Sequence, residues 1–236
     1  MHQWGVEMPG GAEALVHWRD TAETLAKEGH ITPVVAFDLD LANMFCNIEW
    51  PEIRAAVQKH FQEALGWISW THEKPEVVLL PSSGEVEVNH GAGQGDVYGS
   101  TTSALSLGER VCEHRERFGA AHAAPAGAVE EWFVDDGQGL VRLEHADAWL
   151  RSVDRAIADL GGHRTHGAES KSHARLLSTP EFAARHEDWA SEYIKQTCIV
   201  ESGTIAPKVL GVHVGNAEVC TADMARICEK VQSTMD

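Results

Sequence analysis

Two apolar runs in this chain end in closely spaced aspartates. The first leads through Val34 and Phe37 to Asp38 and Asp40, and the second closes on Phe-Val-Asp-Asp-Gly at 133–137. Such runs are typical of buried strands, and a strand alternates its side chains, so Asp38 and Asp40 share one face. A carboxylate on a buried strand is costly unless it is paired or binds a metal ion. If the two strands are neighbours, their carboxylates converge at the strand ends.

A glycine-rich segment, Gly-Ala-Gly-Gln-Gly-Asp at 91–96, lies between the two acidic ends. Its glycines allow tight turns. The order of acidic strand end, glycine loop and acidic pair is typical of a protein that holds two divalent cations for phosphoryl transfer. The plainer interpretation of Asp40 alone is a carboxylate that caps a strand end in solvent.

The composition is that of a globular chain. Its 236 residues, 43% of them hydrophobic and 23% charged, suffice for one domain, with or without a small appendage. No apolar run approaches the roughly 18 residues of a membrane-spanning helix. The start lacks the pattern of a signal peptide, so we expect an intracellular protein, nuclear or cytoplasmic. Five cysteines without a C-x-x-C pair argue against a disulfide scaffold or a structural zinc site.

The net charge of −17 opposes one class of function. Proteins that hold nucleic acid usually present a basic face, because the phosphate backbone dominates their affinity. A chain this acidic is expected to bind nucleic acid weakly unless its basic residues cluster. The charge suits a basic protein partner better.

Hydrophobic periodicity predicts an α+β fold with an antiparallel sheet backed by helices on one face. The predicted helices cover 12–28, a stretch that begins at Trp50-Pro51, 100–116, 146–160, 181–190 and 224–231. The predicted strands cover 31–41, 129–134, 139–143, 174–178 and 209–214, with a hairpin at 77–80 and 86–88 and a turn at 135–137.

Five short motifs, in order, resemble those of one enzyme family. Asp40, with an aromatic residue five positions later and an aliphatic residue eight later, resembles the first palm motif of reverse transcriptases of the non-LTR retrotransposon type. The others are Gly91 to Asp96, the aromatic-x-Asp-Asp box at Phe133 to Asp136, Lys171-Ser172 and Leu210-Gly211. The resemblance extends from about Trp4 to about Gly215, which is nearly the whole chain.

The resemblance implies a fold and a division of the chain. Residues 31–215 would form a polymerase palm, and residues 1–30 a remnant at the junction of fingers and palm. Residues 216–236 would form a C-terminal helix that begins a thumb. Fingers and thumb would be largely missing.

The resemblance also implies RNA-directed DNA synthesis by nucleotidyl transfer with two Mg²⁺ ions, or Mn²⁺ in their place. Asp40 and Asp135 would be the main metal ligands, Asp136 a supporting carboxylate and the backbone carbonyl of Leu41 a further ligand. The ions would activate a primer 3′-hydroxyl and neutralise the triphosphate. The implied partners are an RNA template, a DNA primer and a deoxynucleoside triphosphate.

Four further residues receive roles from the resemblance. Phe45 would lie under the sugar and exclude a 2′-hydroxyl, whereas Gln94 and Gly95 would contact the incoming nucleotide and the template. Lys171 would neutralise or protonate the leaving pyrophosphate. Three of them have a plainer interpretation: Phe45 as a core aromatic, Gly95, like Gly91 and Gly93, as a turn residue, and Lys171 as a solvated lysine.

The chain also departs from the family pattern. Val97 stands where a proline usually follows the second motif, and Arg19 and Lys27 are the only basic residues before Asp40. The interpretation is a fragment or a domesticated element that retains the metal cluster without the apparatus that grips nucleic acid. We expect little or no polymerase activity from the chain alone.

Two alternatives remain open at the level of sequence. The run that ends in Asp38-Leu39-Asp40 also resembles the opening motif of haloacid-dehalogenase-type phosphatases. Asp38 would then be the nucleophile, Asp40 the acid or base, and Asp135-Asp136 the Mg²⁺ ligands. The other alternative is a non-enzymatic interaction module from a domesticated retroelement. The acidic surface and the missing fingers favour it.

Overall fold

The computed structural model describes residues 10–80, 84–92, 96–121, 128–201, 208–209 and 212–213. This part of the chain has a mixed α+β fold in which helices back a central sheet, as predicted. Its helices are α1 Gly11–Lys27, α2 Met44–Asn47, α3 Trp50–His60, α4 Leu65–Thr71, α5 Gly99–Ala121, α6 Ala146–Ala158, α7 Pro180–Arg185 and α8 Glu192–Thr197. Its strands are β1 Val34–Asp40, β2 Glu76–Leu80, β3 Gly84–Val88, β4 Ala128–Phe133, β5 Asp136–Arg142, β6 His173–Leu177, β7 Ile199–Glu201, β8 Lys208–Val209 and β9 Val212–His213.

The central sheet has five strands in the order β4-β5-β1-β6-β7. Strand β1 lies in the middle and pairs antiparallel with β5 and with β6. The sheet departs from the predicted antiparallel pattern at one edge, where β7 runs parallel to β6. The reason is the connection through α7 and α8, because a parallel neighbour needs a crossover that a tight hairpin cannot provide.

One face of the sheet packs on helices α3, α5 and α6. Phe37 of β1 stacks on Trp149 of α6 with 5.1 Å between ring centroids. The indole of Trp149 lies so close to β5 that a Cβ on Gly139 would stand 2.5 Å from it. Glycine at this position therefore lets the helix approach the sheet, and the main hydrophobic core forms on this face.

Helix α1 covers the opposite face, where no helix was expected. Ala36 precedes Phe37 on β1 and so points away from α6. It packs with Ala22 and Ala26 of α1 in a small separate cluster. Alanines contribute little apolar area, so α1 also depends on buried ion pairs. One of them joins Arg19 to Asp38 across 3.2 Å.

The predicted boundaries shift at several places. The predicted helix 181–190 ends early at Arg185, because the hydroxyl of Ser191 accepts from Ile194 N–H and begins the separate helix α8. Near the predicted strand 209–214, the short strands β8 and β9 pair with each other. The predicted helix 224–231, the segment 216–236 and residues 1–9 lie outside the described residues. No helix in the described ranges has the length and apolar character to cross a membrane.

Candidate active site

The turn between β4 and β5 carries Asp135. Phe133 pairs with Asp136, so the connection consists of Val134 and Asp135 alone. Val134 has a φ of 58°, a left-handed value that is strained for a β-branched residue. Two-residue hairpin turns need such values to match the twist of their strands. The turn thus begins one residue before the predicted 135–137, and Asp136 already belongs to β5.

The structure brings the two acidic strand ends together. Asp40, the last residue of β1, pairs directly with Asp136, the first residue of β5. Residues directly opposite in antiparallel strands point to one face, with about 5 Å between their Cβ atoms. Asp135 stands next to this pair in the hairpin turn. Three carboxylates from two neighbouring strand ends therefore meet at one end of the sheet.

The carboxylates perturb one another. Partial burial, and then the charges of Asp135, Asp40 and Asp38, raise the pKa of Asp136 to about 6. Burial also raises the pKa of Asp135, which its own backbone N–H opposes and the charge of Asp40 reinforces. Carboxylates whose pKa values rise in this way lack a sufficient counter-charge. A bound cation would relieve the repulsion.

A pocket of about 600 Å³ opens beside this cluster. Five of the residues predicted for the site line it, namely Asp40, Leu41, Phe45, Asp135 and Lys171. Asp136 does not line the pocket, although it pairs directly with Asp40 in the sheet. The remaining wall residues are Ala42, Asn43, Met44, Cys46, Ala92, Asp96, Gly99, Ser100 and Thr165.

The pocket wall is acidic. Asp40, Asp96 and Asp135 contribute carboxylates, and Lys171 is the one Lys or Arg among the described lining residues. A triphosphate would be repelled by this wall in the absence of cations. Asp96 belongs to the glycine-rich motif, but sequence analysis gave it no role. Its carboxylate accepts a hydrogen bond from Tyr98 N–H at 2.9 Å, ahead of helix α5.

The segment after β1 turns sharply along the pocket wall. Asn43 adopts the left-handed conformation with a φ of 47°. Ala42 N–H donates to the His163 carbonyl at 2.9 Å, and the Asn47 side chain donates to the Ala42 carbonyl at 2.9 Å. These bonds fix the path that leads from Asp40 to the partly buried ring of Phe45.

Arg164 supports that segment from below. Leu41 forms an isolated bridge with Arg164, whose buried guanidinium donates to both carboxylate oxygens of Asp154 at 2.6 and 2.8 Å. Burial by itself lowers the pKa of Arg164. The hydrogen bonds and charge of the Asp154 carboxylate raise it, and the pKa is raised on balance. Sequence analysis missed this pair, and no motif or spacing signals it.

The segment at Lys171 and Ser172 also reaches the end of β1. The fully buried hydroxyl of Ser172 accepts the Asp40 N–H at 3.2 Å. Lys171 is exposed and lines the pocket. The predicted motif thus has two parts, a lysine at the pocket and a serine that holds the backbone of Asp40. Sequence analysis missed the role of the serine.

Asp38 lies outside the pocket. Helix α1 covers it, and Arg19 pairs with it at 3.2 Å. Burial raises the pKa of Asp38, and the Arg19 charge opposes that rise. A phosphatase of the type considered above needs Asp38 free to attack substrate, yet here its carboxylate is held by a buried guanidinium. The geometry therefore speaks against Asp38 as a nucleophile.

Gln94 and Gly95 lie outside the described residues, as does the predicted fifth motif at Leu210-Gly211. Gly91, which precedes Gln94 in the same motif, has a φ of 75°. A Cβ at this position would stand 2.4 Å from the Cys46 carbonyl oxygen. Gly91 N–H donates to the Ile48 carbonyl at 2.7 Å. Glycine is thus required at 91 both for the turn and for the close approach to the segment after β1.

The donor set suits a cation that also binds substrate. Within the described ranges, no three His, Cys, Asp or Glu side chains form a ready-made ligand group. Mg²⁺ rarely uses an all-protein cage, and usually binds through one or two carboxylates, waters and substrate phosphates. The two pocket carboxylates, Asp40 and Asp135, match that requirement.

Comparisons with known proteins give distant likenesses only. No protein-family model matches the chain, and no curated protein matches it. Among solved structures, telomerase from Candida tropicalis in complex with a TWJ fragment of telomeric RNA shares 11% identity over 64% of this chain, with a TM-score of 0.44. Apo telomerase from the same organism, truncated from its C-terminal domain, shares 12% identity over 70% of this chain, with a TM-score of 0.44. The chain spans 27% and 34% of the length of these two structures.

Proposed function

We propose that the chain is a reverse-transcriptase-like palm, a nucleotidyl-transfer fold of the non-LTR retrotransposon type, with little or no polymerase activity by itself. The observation that carries the proposal is the direct pairing of Asp40 with Asp136, with Asp135 in the adjoining turn. The pocket beside them supports it, because Phe45 and Lys171 line the same wall. Residues from the first four of the five motifs line this one pocket.

In this proposal Asp40 and Asp135 hold Mg²⁺, or Mn²⁺, together with substrate phosphates and the carbonyl of Leu41. The bound ions would supply activation of a primer 3′-hydroxyl and neutralisation of the triphosphate. Asp136 does not line the pocket. It contributes through its partly buried charge, which makes the electrostatic potential at Asp40 more negative. The raised pKa values of Asp135 and Asp136 support the proposal, because they indicate a site short of positive charge.

The chain's own residues would position the reactants. Ser172 and the hydrogen bond from Ala42 to His163 hold the backbone on either side of Asp40 and Leu41. Phe45, at the pocket wall, would exclude a 2′-hydroxyl by steric contact. Lys171 would place its ammonium group near a leaving pyrophosphate. Gln94 and Gly95 are proposed to contact the nucleotide and template.

The implied partners are an RNA template, a DNA primer and a deoxynucleoside triphosphate. The net charge of −17 works against the two nucleic acids. Arg19, Arg164 and Arg175 are buried in ion pairs rather than presented to a phosphate backbone. Weak binding of template and primer is therefore part of the proposal, and it accounts for the low activity expected of the isolated chain.

Calorimetric titration with Mg²⁺ and with Mn²⁺ tests the metal site. We expect binding to the wild type that falls by about tenfold or more in Asp135→Asn, a loss of about 1.4 kcal/mol. Asp159→Asn, an exposed change at the end of α6, serves as the control and should bind like the wild type. Equal binding by all three proteins would defeat the proposal.

Primer extension on an RNA template, with the same proteins, tests the activity. We expect metal binding without measurable incorporation of deoxynucleotides. Robust incorporation that Asp135→Asn abolishes would show an active polymerase. That result would overturn the claim of low activity and leave the proposed metal site standing. Phosphate release from a generic phosphomonoester, lost in Asp38→Asn, would favour the phosphatase alternative.

A non-enzymatic interaction module is the second candidate, and one observation favours it. An exposed apolar and acidic surface lies on α4 and the β2–β3 hairpin, and its residues are not among those that line the pocket at the carboxylate cluster. A chain can retain both features, so the two candidates are separated by the metal titration. Absence of Mg²⁺ and Mn²⁺ binding would leave the interaction module as the better description.

A further inference from the structure

Exposed apolar side chains concentrate in one short stretch of the described residues. Six of the nine large hydrophobic side chains that are exposed lie between positions 67 and 86. They are Trp67, Trp70, Val77, Val78, Leu79 and Val86, and Leu79 has 73% of its surface exposed. Clustered exposure of this kind marks an interaction surface, whereas scattered exposed hydrophobics need no explanation.

Most of this surface is the β2–β3 hairpin. In the described part of the chain these two strands pair only with each other. A lone two-stranded hairpin is marginally stable in water, and its outer edges present backbone groups to which another strand can add. Addition of a strand from a partner would complete the backbone hydrogen bonds and cover the apolar side chains.

Strand β3 alternates between acidic and apolar residues, in the order Glu85, Val86, Glu87 and Val88. The two glutamates therefore lie on one face and the two valines on the other. Glu85 and Glu87 are exposed, and neither forms an ion pair with the described residues. On the glutamate face they stand opposite Leu79 and Val77 of β2.

The pattern disfavours β3 as the edge of a symmetric antiparallel dimer. In a two-fold antiparallel pair, a residue can lie opposite only residues that share its face. Within β3, Glu85 and Glu87 are the two residues on that face, so a two-fold pair centred on this strand would place glutamate opposite glutamate. Like charges directly opposite destabilise a sheet. An occupant with positive charges opposite these glutamates is favoured instead.

We propose that the outer edge of β3 binds a partner protein by strand addition, and that the added strand alternates basic with apolar residues. Lys or Arg side chains of the partner face Glu85 and Glu87, and its apolar side chains cover Val86 and Val88. Helix α4 extends the surface at the base of the hairpin, where Trp70 and Glu76 line one cleft. None of these residues lines the pocket beside the carboxylate cluster.

A short labelled peptide of alternating lysine and valine tests the proposal by fluorescence anisotropy. We expect saturable binding at low salt that weakens by about tenfold or more in Glu85→Lys/Glu87→Lys. A peptide with the same residues in separate lysine and valine blocks keeps the charge but not the alternation, and should bind at least about tenfold more weakly. Equal binding of the two peptides would overturn the proposal.

Two controls separate strand addition from general charge attraction. Glu116→Lys/Glu187→Lys changes the net charge equally at exposed positions outside the hairpin and helix α4, and should bind like the wild type. The Glu85→Lys/Glu87→Lys protein should gain affinity for a peptide of alternating glutamate and valine, which also shows that its hairpin is folded. Loss of binding in the control variant, or no gain with the acidic peptide, contradicts the proposal.

Other occupants give distinct results. Sedimentation that shows a dimer lost in Glu85→Lys/Glu87→Lys would mean that a second copy occupies the edge after all. Binding of single-stranded RNA that is lost in Trp67→Ala/Trp70→Ala would assign the surface to base stacking. Either result overturns the assignment to a basic strand.

Discussion

Asp136 differs from the other two carboxylates in its position. Asp40 and Asp135 line the pocket, whereas Asp136 does not line it and pairs with Asp40 from the neighbouring strand. Burial and its acidic neighbours bring its pKa to about 6. Its charge at the site therefore changes within the range in which enzymes work, so the potential at Asp40 depends on the protonation of a residue outside the pocket.

Replacing Asp136 tests that dependence. A carboxyl whose pKa is raised in the folded state binds protons more tightly there, so without metal its repulsion is relieved as the pH falls below about 6. Asp136→Asn should raise the free energy of unfolding at about pH 7.5, by about 1 kcal/mol or less after screening by solvent. The advantage of the variant should shrink towards about pH 4.

Urea unfolding in EDTA at several pH values gives the measurement, with Asp159→Asn as the control. An Asp136→Asn variant that is less stable than the wild type at about pH 7.5 would show that Asp136 is a structural hydrogen-bond acceptor rather than a repelled charge. The comparison between variant and wild type cancels the titration of carboxyls that do not interact with Asp136.

The sequence predicts the acidic residues of the site better than their supports. Asp40 lies near the end of a strand that local patterns reveal, and alternation fixes its face. Asp136 was predicted in a turn and instead begins β5. Ser172, which accepts the Asp40 N–H, is 132 positions away in the chain. Arg164 and Asp154 form a pair with no distinctive spacing. Contacts of this kind arise from tertiary packing, so a single sequence carries no local signal for them.

At the scale of elements, helix α1 is held to the sheet by charges. Arg19 pairs with Asp38, and Arg175 of β6 donates to both carboxylate oxygens of Glu23 at 3.2 and 2.6 Å. Burial lowers the pKa of Arg19 and raises that of Asp38, although each partner opposes the shift of the other. Each group is thus buried at a cost that its partner is the first to offset.

A double-mutant cycle on Arg19 and Asp38 measures that balance. Arg19→Met or Asp38→Leu alone leaves one buried charge uncompensated and should lower the free energy of unfolding by about 3 kcal/mol. The double variant should recover most of the loss, because an apolar pair of similar volume replaces a buried ion pair at little cost.

The exposed pair Lys195 and Glu192 provides the control cycle, with Lys195→Met and Glu192→Gln. Its coupling should not exceed about 0.5 kcal/mol. Urea unfolding monitored by circular dichroism serves both cycles. Additive losses in the Arg19 and Asp38 cycle would refute the view that the two charges depend on each other.

Some elements are legible in the sequence and others are not. The amphipathic period predicts α1 and α6, and the turn residues after Leu80 predict the β2–β3 hairpin. Strand β7 has only three residues, Ile199–Glu201, too few for a periodic signal. The covering of both sheet faces was missed because Arg19 and Glu23 look like solvated charges on the sequence of α1.

At the scale of the whole molecule, the excess of acid dominates. The chain carries 36 acidic against 19 basic residues. Many of the basic side chains are already paired with carboxylates, as Lys59 is with Glu109 and Arg110 with Glu52. The remaining carboxylates repel one another over the surface, which opposes compactness.

Added salt should therefore stabilise the protein. Raising NaCl from about 20 to 200 mM shortens the range of the repulsion, and we expect the free energy of unfolding to rise by about 1 kcal/mol. Urea unfolding at the two concentrations gives the measurement, and KCl at equal strength should act alike. A fall in stability would mean that the ion pairs contribute more than the net repulsion.

The central position of β1 has a consequence for synthesis. Its partner β5 is complete only at Arg142, so the ribosome adds about a hundred residues after β1 before the pair can close. At about 5–20 residues per second this takes roughly 5 to 20 s. During that interval the apolar strand β1 is present on the nascent chain without its partner β5. Asp38 and Asp40 interrupt its hydrophobic stretch, and such interruptions hinder aggregation. Asp40, which lines the pocket, and Asp38, which pairs with Arg19, thus also protect the nascent chain from aggregation.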